Sequence, residues 1–527
     1  MEFSLRLVLQ SSSDGMFWHG ARRQADMSTT HSIPSARLSR ANDLPPNPGG
    51  AYVLYWMTSA RRLTDNFGLE HAISWSRRLG RPLLIFEALR SDYPWASARH
   101  HRFILDGMAA NRRALAAVSG VRHYAYVEPS RGHGAGLLAA LAASACVVVT
   151  DHFPCFFLPR MIAAAAQKVP VSLEVVDSNG IMPLSTAPKV FTTAFSFRRH
   201  LHKNVLEHLE DMPLPDPLGA AGLSGDLELP SSLLERWPEA SPELLGSDPS
   251  ALARLPIDHE VEPTGLEGGA QQGLERAAKF VEARLGAYPQ ERNEPESPGG
   301  SGLSPFLHFG HLSVHSVMRM LVEHEGWTPE RVAPKPTGSR GGWWGMSEAA
   351  ESFIDELVTW REVGYTFGHL RPHDYDAYES LPSWALETLE EHADDPREHV
   401  YERTALEAAE THDELWNAAQ RQLVAEGRIH GYLRMLWGKK ILEWSEHPRV
   451  ALAHLIELNN KYALDGRNPN SYSGIFWTLG RFDRAWGPER PIFGKIRYMS
   501  SANTARKVRV RGYLARWSGA QPELPGL

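Results

Sequence analysis

Cysteine is scarce in this chain of 527 residues, with Cys146 and Cys155 the sole pair. Two thiols make neither a disulfide framework nor a cysteine-rich metal site, and no metal is expected. Such sparing use fits a reducing, cytoplasmic setting. Long apolar runs are missing too: none approaches the roughly 20 residues that span a bilayer, so no membrane association is expected. The opening MEFSLRLVLQSSSDG is too short and too interrupted for a secretory signal. Positive charge is not in excess, because 55 Lys and Arg face 62 Asp and Glu for a net charge of −7. That excludes a uniformly basic coat for nucleic acid. No GxGxxG follows the first strand-like run, which removes the usual dinucleotide fingerprint.

What is present describes a soluble globular protein, 43% hydrophobic and 22% charged. Residues 1–47 are polar and rich in Ser, Arg and Pro and read as a loose extension. Then AYVLYWM (51–57), PLLIFEA (82–88), HYAYVEP (123–129), ACVVVTD (145–151) and SLEVVDS (172–178) follow as short β-branched and aromatic runs. Stretches of helical periodicity, such as 63–79 and 97–118, separate the first of them. Strands alternating with helices imply a parallel sheet covered on both faces, a Rossmann-like α/β domain over 48–190. Residues 191–268, rich in Pro, Gly and acidic residues from 212 onward, read as an interdomain linker. From 269 to 520 the pattern is helical, with helices expected at 269–286, 312–324, 347–363, 383–393, 411–426, 429–446 and 448–462.

Charge is uneven along the chain. Between Arg481 and Arg516 ten Lys and Arg stand against Asp483 and Glu489. A local basic face on an acidic protein still attracts phosphates, since nearby charges set the field. A solvated basic tail explains the run equally well at this level.

Three strings carry the chemistry. In YPQERNEP (288–295) followed by GGSGLSPFLHFGHLS (299–313), Ser301, Gly302, Leu303, Ser304 and Pro305 lead into a helix whose exposed amides suit a phosphate. A capped helix entry accounts for SGLSP alone. In RIHGYLRMLWGKKILEW (428–444), Ile429, Leu433, Leu436, Ile441 and Trp444 repeat at helical spacing, so one face packs. Trp437 and Trp444, seven apart, are nearly eclipsed and separated by roughly 10 Å along the axis. Trp416 sits in the preceding helix, THDELWNAAQ. The third string, 458–500, is dense in Asn, Asp, Arg and aromatics, and its DGRNPN is a turn. Taken singly, Asn459 reads as a helix C-cap and Asp465 as a turn former.

Together these strings resemble the class II cyclobutane pyrimidine dimer photolyases of the photolyase/cryptochrome family. The resemblance spans most of 50–515 and is most specific in 288–313 and 411–500. It implies an α/β domain joined to an all-α domain that binds FAD, and a second antenna pigment, a deazaflavin or a folate, in the α/β domain. Tyr288, Arg292 and the segment Ser301 to Pro305 resemble the residues that hold the FAD phosphates and sugar. Arg434 and Asp465 resemble the buried ion pair beside the isoalloxazine, with Gly466 adjoining. Asn459 corresponds to the residue facing flavin N5. Trp437, Trp416 and Trp444 match the relay that photoreduces the flavin. Glu356 and Trp360, four apart on one helix face, resemble the carboxyl and one aromatic wall of the lesion pocket. Trp477 is the opposing wall, and Met435 adjoins.

Asp483, Arg484 and Trp486 resemble the loop that enters the duplex where the lesion has been. The implied partner is UV-damaged DNA, preferably double-stranded, bound by a monomer, on the nucleoid if the cell is bacterial. Two stretches depart from the family pattern: REVGYTFGHLRP after Trp360, and the insertion KPTGSRGGWWGM at 335–346. Three other functions fit parts of the chain: a cryptochrome photoreceptor, a (6-4) photolyase needing histidine chemistry, and a flavin-free helical nucleic-acid binder. The resemblance disfavours the second, and the third leaves 288–313 unexplained.

Overall fold

Short apolar runs become the centre of a six-stranded sheet because helices cover both of its faces. The computed structural model describes residues 33–519 apart from 220, 224 and 298. Its strands are β1 (Leu38–Arg40), β2 (Tyr52–Met57), β3 (Leu83–Leu89), β4 (Val121–Val127), β5 (Ala145–Asp151) and β6 (Leu173–Val176), in the order β1-β6-β5-β2-β3-β4. The five from β6 to β4 run parallel, and β1 closes the edge antiparallel to β6. Every residue of β2 and β5 is buried, which is why these strands read as unbroken apolar runs and not as alternating ones. The helix Phe67–Leu79 is started by the Asn66 side chain, which accepts the Leu69 N–H, and stopped by Gly80 at φ 60°.

Two expected boundaries are corrected. The polar extension ends earlier than 47, because Leu38–Arg40 pairs with β6. An edge strand of three residues with two exposed side chains needs no apolar pattern to betray it. The linker 191–268 holds a 17-residue helix, Ala194–Glu210, whose Phe197, Leu201, Val205 and Leu209 face inward. Its helical spacing is masked by the Pro- and Gly-rich stretch that follows.

The helical half packs onto the sheet's own helices. Phe103, on the helix Ala98–Leu115, meets Phe306 at 5.2 Å and Phe309 at 5.3 Å between ring centres. Gly310 (φ 70°) approaches so closely that a Cβ there would lie 1.8 Å from the Ser59 carbonyl oxygen, so no other residue fits. The helix expected at 347–363 is really three pieces in line: Glu348–Ile354, a π-helical stretch Asp355–Trp360, and Arg361–Leu370. Wide π turns of this kind cluster at functional sites. The helix Gly431–Trp444 is buried around most of its circumference, not on one face, since Lys439 and Lys440 are buried with the apolar positions. No helix among the described residues is long and apolar enough to cross a membrane.

Candidate active site

The floor of the site is built where the Gly431–Trp444 helix meets the turn after the helix Pro448–Tyr462. Arg434 on the first donates to Asp465 in the second at 3.1 Å. Burial works against the Asp465 charge, but Arg434 and a hydrogen bond from Ser304 outweigh it and hold the carboxyl below its usual range. The 288–313 string and the 458–500 string thus meet at one carboxylate. Arg434 Nε is buried with no partner of its own, so the pair still has a donor to offer.

Asn459 is buried in the last turn of its helix. Its amide donates to Ser471 Oγ at 2.6 Å, and Ala463, not Asn459, caps the helix. Gly466 lies against that turn, where a Cβ would come within 2.8 Å of the Asn459 carbonyl oxygen. Gly302 takes φ 69°, which lets the chain swing from Ser301 into the helix Ser304–His308. That helix has five residues, too few for a substantial macrodipole. Its contribution is the hydroxyl of Ser304, from an exposed residue that hydrogen-bonds Asp465.

A second cluster lies on the neighbouring helices. Tyr288 packs edge-on to Phe280 and Phe353 at 5.5 and 5.4 Å, and the Arg292 guanidinium stands 5.4 Å from its ring centre. Arg292 forms an ion pair with Glu356. Burial pushes the Glu356 carboxyl up and Arg292 pulls it back, with a net upward shift. The structure therefore joins Arg292, expected among the cofactor residues, to Glu356, expected at the lesion. Trp360 ends the same π-helical stretch and is half-buried, as is Met435 beside Arg434.

Trp477 is half-buried and rests on a lysine that the motifs did not single out. Lys439, 0% exposed, donates to the Thr478 carbonyl at 2.6 Å with its ammonium 4.8 Å from the Trp477 ring centre. Burial lowers its pKa to about 7, with Asp483 opposing and Arg497 adding to the shift. Between that value and roughly 10.4, the ordinary lysine value, the unfolded chain binds the extra proton, so stability rises with pH across the window. Relative to Lys439→Met, which keeps the stem and removes the titration, the parent should gain about 2 kcal/mol between pH 7 and 9. Urea unfolding at both pH values measures this, and parallel changes in the two proteins would mean that Lys439 stays charged and hydrated.

The tryptophans form a continuous stack. Trp416 lies parallel to Trp437, with ring centres 6.4 Å apart and planes at 3°, and edge-on to Trp444 at 5.6 Å. Trp437 donates to Gln420 at 2.9 Å and Trp416 to the Trp437 carbonyl at 3.0 Å. Trp416 therefore bridges the two tryptophans that the helix alone leaves apart. Trp444 touches Tyr401 at 5.5 Å and His412 at 5.1 Å, and His412 is exposed. The stack runs from one turn beyond Arg434 to the protein surface.

The segment after Trp477 is an ordered loop. Asp483 accepts from the Arg484 N–H at 2.9 Å and from Trp486 Nε1 at 3.2 Å, and pairs with Arg497 at 3.2 Å. Arg484 and Arg497 lie over Trp486, at 4.1 and 4.0 Å from the ring centre. Arg484 itself is exposed. The basic run 481–516 is less free than its sequence implies. Arg481 is 3% exposed and wedged between Phe367 and Phe476, while Arg509 and Arg516 pair with Glu294 and Glu426. Those carboxylates come from distant parts of the chain, so a local count of charge misses them.

A cavity of about 420 Å³ opens at the carboxyl ends of β2 and β3, walled by Trp56, Phe86 and Tyr126 and reaching His308, Phe309 and Arg467. It adjoins the point where strand order reverses between β5 and β2, the customary ligand position in an open α/β sheet.

The chain is 33% identical over 492 residues to the deoxyribodipyrimidine photo-lyase of Methanothermobacter thermautotrophicus, covering 93% of this chain and 100% of that one. It is 34% identical over 497 residues to the enzyme of that name from Oryza sativa, covering 90% of each. With its counterpart from Potorous tridactylus the identity is 31% over 479 residues, 89% of this chain and 81% of that protein. Among solved structures, a class III photolyase from Agrobacterium tumefaciens superposes with a TM-score of 0.63 at 16% identity, covering 89% of this chain and 86% of that one. A Synechocystis cryptochrome does so with 0.61 at 16% identity, over 90% and 89%. No protein-family model matches the chain. Identity at this level over the whole length, on the same α/β-plus-helical fold, places the chain in the deoxyribodipyrimidine photo-lyase family.

Proposed function

We propose that this protein is a light-driven DNA repair enzyme of the class II type, splitting cyclobutane pyrimidine dimers in UV-damaged duplex DNA with FAD as its cofactor. The observation that carries the reading is the Trp437–Trp416–Trp444 stack, which leads from one turn beyond the Arg434–Asp465 pair to exposed His412. A buried oxidant beside that pair is what such a path would serve. The fit of a flavin there rests on Arg434 Nε, buried and unpartnered, and on the exposed Ser304 hydroxyl beside Asp465. When bound, reduced FAD excited by blue light supplies the electron that opens the cyclobutane ring.

The chain's own residues do the rest. Arg434 and Asp465 hold the ring system, Asn459 faces its N5, and Tyr288 with the segment Ser301 to Pro305 line the phosphate end. Trp360 and Trp477 wall the flipped lesion, Glu356 hydrogen-bonds a pyrimidine carbonyl, and Arg484 with Trp486 fills the gap left in the duplex. Photolyases are among the standard base-flipping enzymes, and unpairing is least costly at damaged bases. The aromatic cavity of about 420 Å³ is the size of an ordinary ligand pocket and holds the second, antenna chromophore, a deazaflavin or a folate. The protein acts as a monomer in the cytoplasm.

Visible absorbance tests the cofactor: the purified protein, or the apoprotein after incubation with FAD, should show bound flavin, and its lack would end the proposal. The loop carries a separate expectation. Arg484→Ala should weaken binding of damaged duplex more than of damaged single strand, because only the duplex leaves a gap to fill. Gel-shift titrations on both substrates measure this, and equal losses would reduce Arg484 to simple phosphate attraction.

A further inference from the structure

The insertion 335–346 carries a feature that the repair site does not use. Its base is fixed: Trp343 stacks on His202 at 4.0 Å, and Glu351 accepts from the N–H groups of Gly342, Gly345 and Met346. Its other end is held by Arg198, which donates to the Gly338 carbonyl at 3.1 Å while pairing with Asp355 at 2.7 Å. Between these anchors Ser339, Arg340 and Gly341 are exposed. Asp355 immediately precedes Glu356, and the Arg340 charge is among the influences on the Glu356 carboxyl. The loop is therefore tied, through Arg198 and Asp355, to the π-helical stretch that carries Glu356.

Against this tip lies the outer face of the helix Ala194–Glu210. Phe195, Arg199 and Lys203 are spaced four apart, so they form one stripe, and all three are exposed. Phe195 is 56% exposed, one of three large apolar side chains left open among the described residues. Gly338 packs here, since a Cβ on it would meet Arg199 Cβ at 3.1 Å and the Phe195 ring at 3.3 Å. Among the described residues, Arg199, Lys203 and Arg340 are held in no ion pair. The stripe ends one turn later at exposed Glu207.

We propose that Arg340, Arg199 and Lys203, with Phe195 among them, form a second DNA-binding surface that holds the phosphate backbone of the strand flanking the flipped lesion. The proposal rests on the repair reading above. Free cations beside an open aromatic ring match a sugar-phosphate backbone, and Arg198 ties the patch to the stretch that carries Glu356. Interactions of this type add affinity without sequence preference and make it salt-dependent.

The test uses the holoprotein and a damaged duplex long enough to cover both flanks. Arg199→Ala with Arg340→Ala should lower the slope of log affinity against log salt by about 0.9 for each phosphate no longer neutralised. Flavin content should be unchanged, and the deficit in affinity should vanish on a duplex trimmed on one side of the lesion. An unchanged slope in a double variant whose parent binds damaged duplex would overturn the surface and leave the repair reading standing. A parent that binds no damaged duplex would overturn the repair reading, and the surface with it.

Discussion

Trp437→Phe should reduce photoreduction of the bound, oxidised flavin to the background rate, while repair by chemically prereduced protein stays near the parent level. The geometry makes this an all-or-none expectation. Trp437 follows Arg434 by one turn of the same helix, and its stacking partner among the described residues is Trp416, whose ring is parallel to it at 6.4 Å. Phenylalanine keeps a flat apolar side chain in the slot but is far harder to oxidise than indole. Trp416→Phe should fail in the same way, because Trp416 is the bridge to Trp444. Phe is chosen over Ala because truncating a fully buried Trp costs about 3–5 kcal/mol and confuses loss of the path with loss of the fold. Even Phe leaves the buried Gln420 acceptor without its Nε1–H partner, an expense of about 1–3 kcal/mol. Flavin content is therefore measured alongside. Normal photoreduction in both variants would make the stack core packing and no more.

In the lesion pocket, Glu356→Ala should lower the number of dimers split per absorbed photon, whereas Trp477→Ala should mainly weaken lesion binding. Base stacking on an aromatic face is worth about 1–3 kcal/mol, so Trp477→Ala should raise the Kd for damaged DNA roughly five- to 150-fold. Glu356 acts differently. Its carboxyl is shifted upward by burial against the pull of Arg292, and a proton there lets it donate to a pyrimidine carbonyl. Such a bond strengthens as negative charge gathers on the dimer, which is when it helps splitting most. Because a raised carboxyl loses its proton as pH rises, the yield per photon should fall toward alkaline pH in the parent. Glu356→Gln, which donates at every pH, should flatten that fall. Repair measured with a defined thymine-dimer oligonucleotide separates yield from affinity. If Glu356→Ala and Trp477→Ala both repair like the parent, the pocket lies elsewhere.

The parts legible in the sequence are those where burial leaves a local pattern. β2 and β5 are sandwiched between helices, so YVLYWM and ACVVVTD stand out as unbroken apolar runs. The tryptophan stack is half legible: helix spacing relates Trp437 to Trp444, but only tertiary packing sets Trp416 between them. What escapes the sequence is pairing across long separations. Arg292 and Glu356 are 64 residues apart and nothing local joins them. Glu294 and Glu426 quench part of a basic run that looks free when read by itself. Lys439 is hidden in the pair Lys439–Lys440, which resembles a solvated face until the helix proves buried nearly all round. The three-residue β1 and the π-helical stretch Asp355–Trp360 leave no pattern, because one is too short and the other differs from an α-helix only in how its turns are hydrogen-bonded.

The central claim is tested most directly by giving the reduced holoprotein a thymine-dimer duplex under blue light and in the dark. Dimers should disappear in the light, should persist in the dark, and should return as intact thymines. Protein that holds reduced FAD, binds the damaged duplex and leaves every dimer in place under light would contradict it.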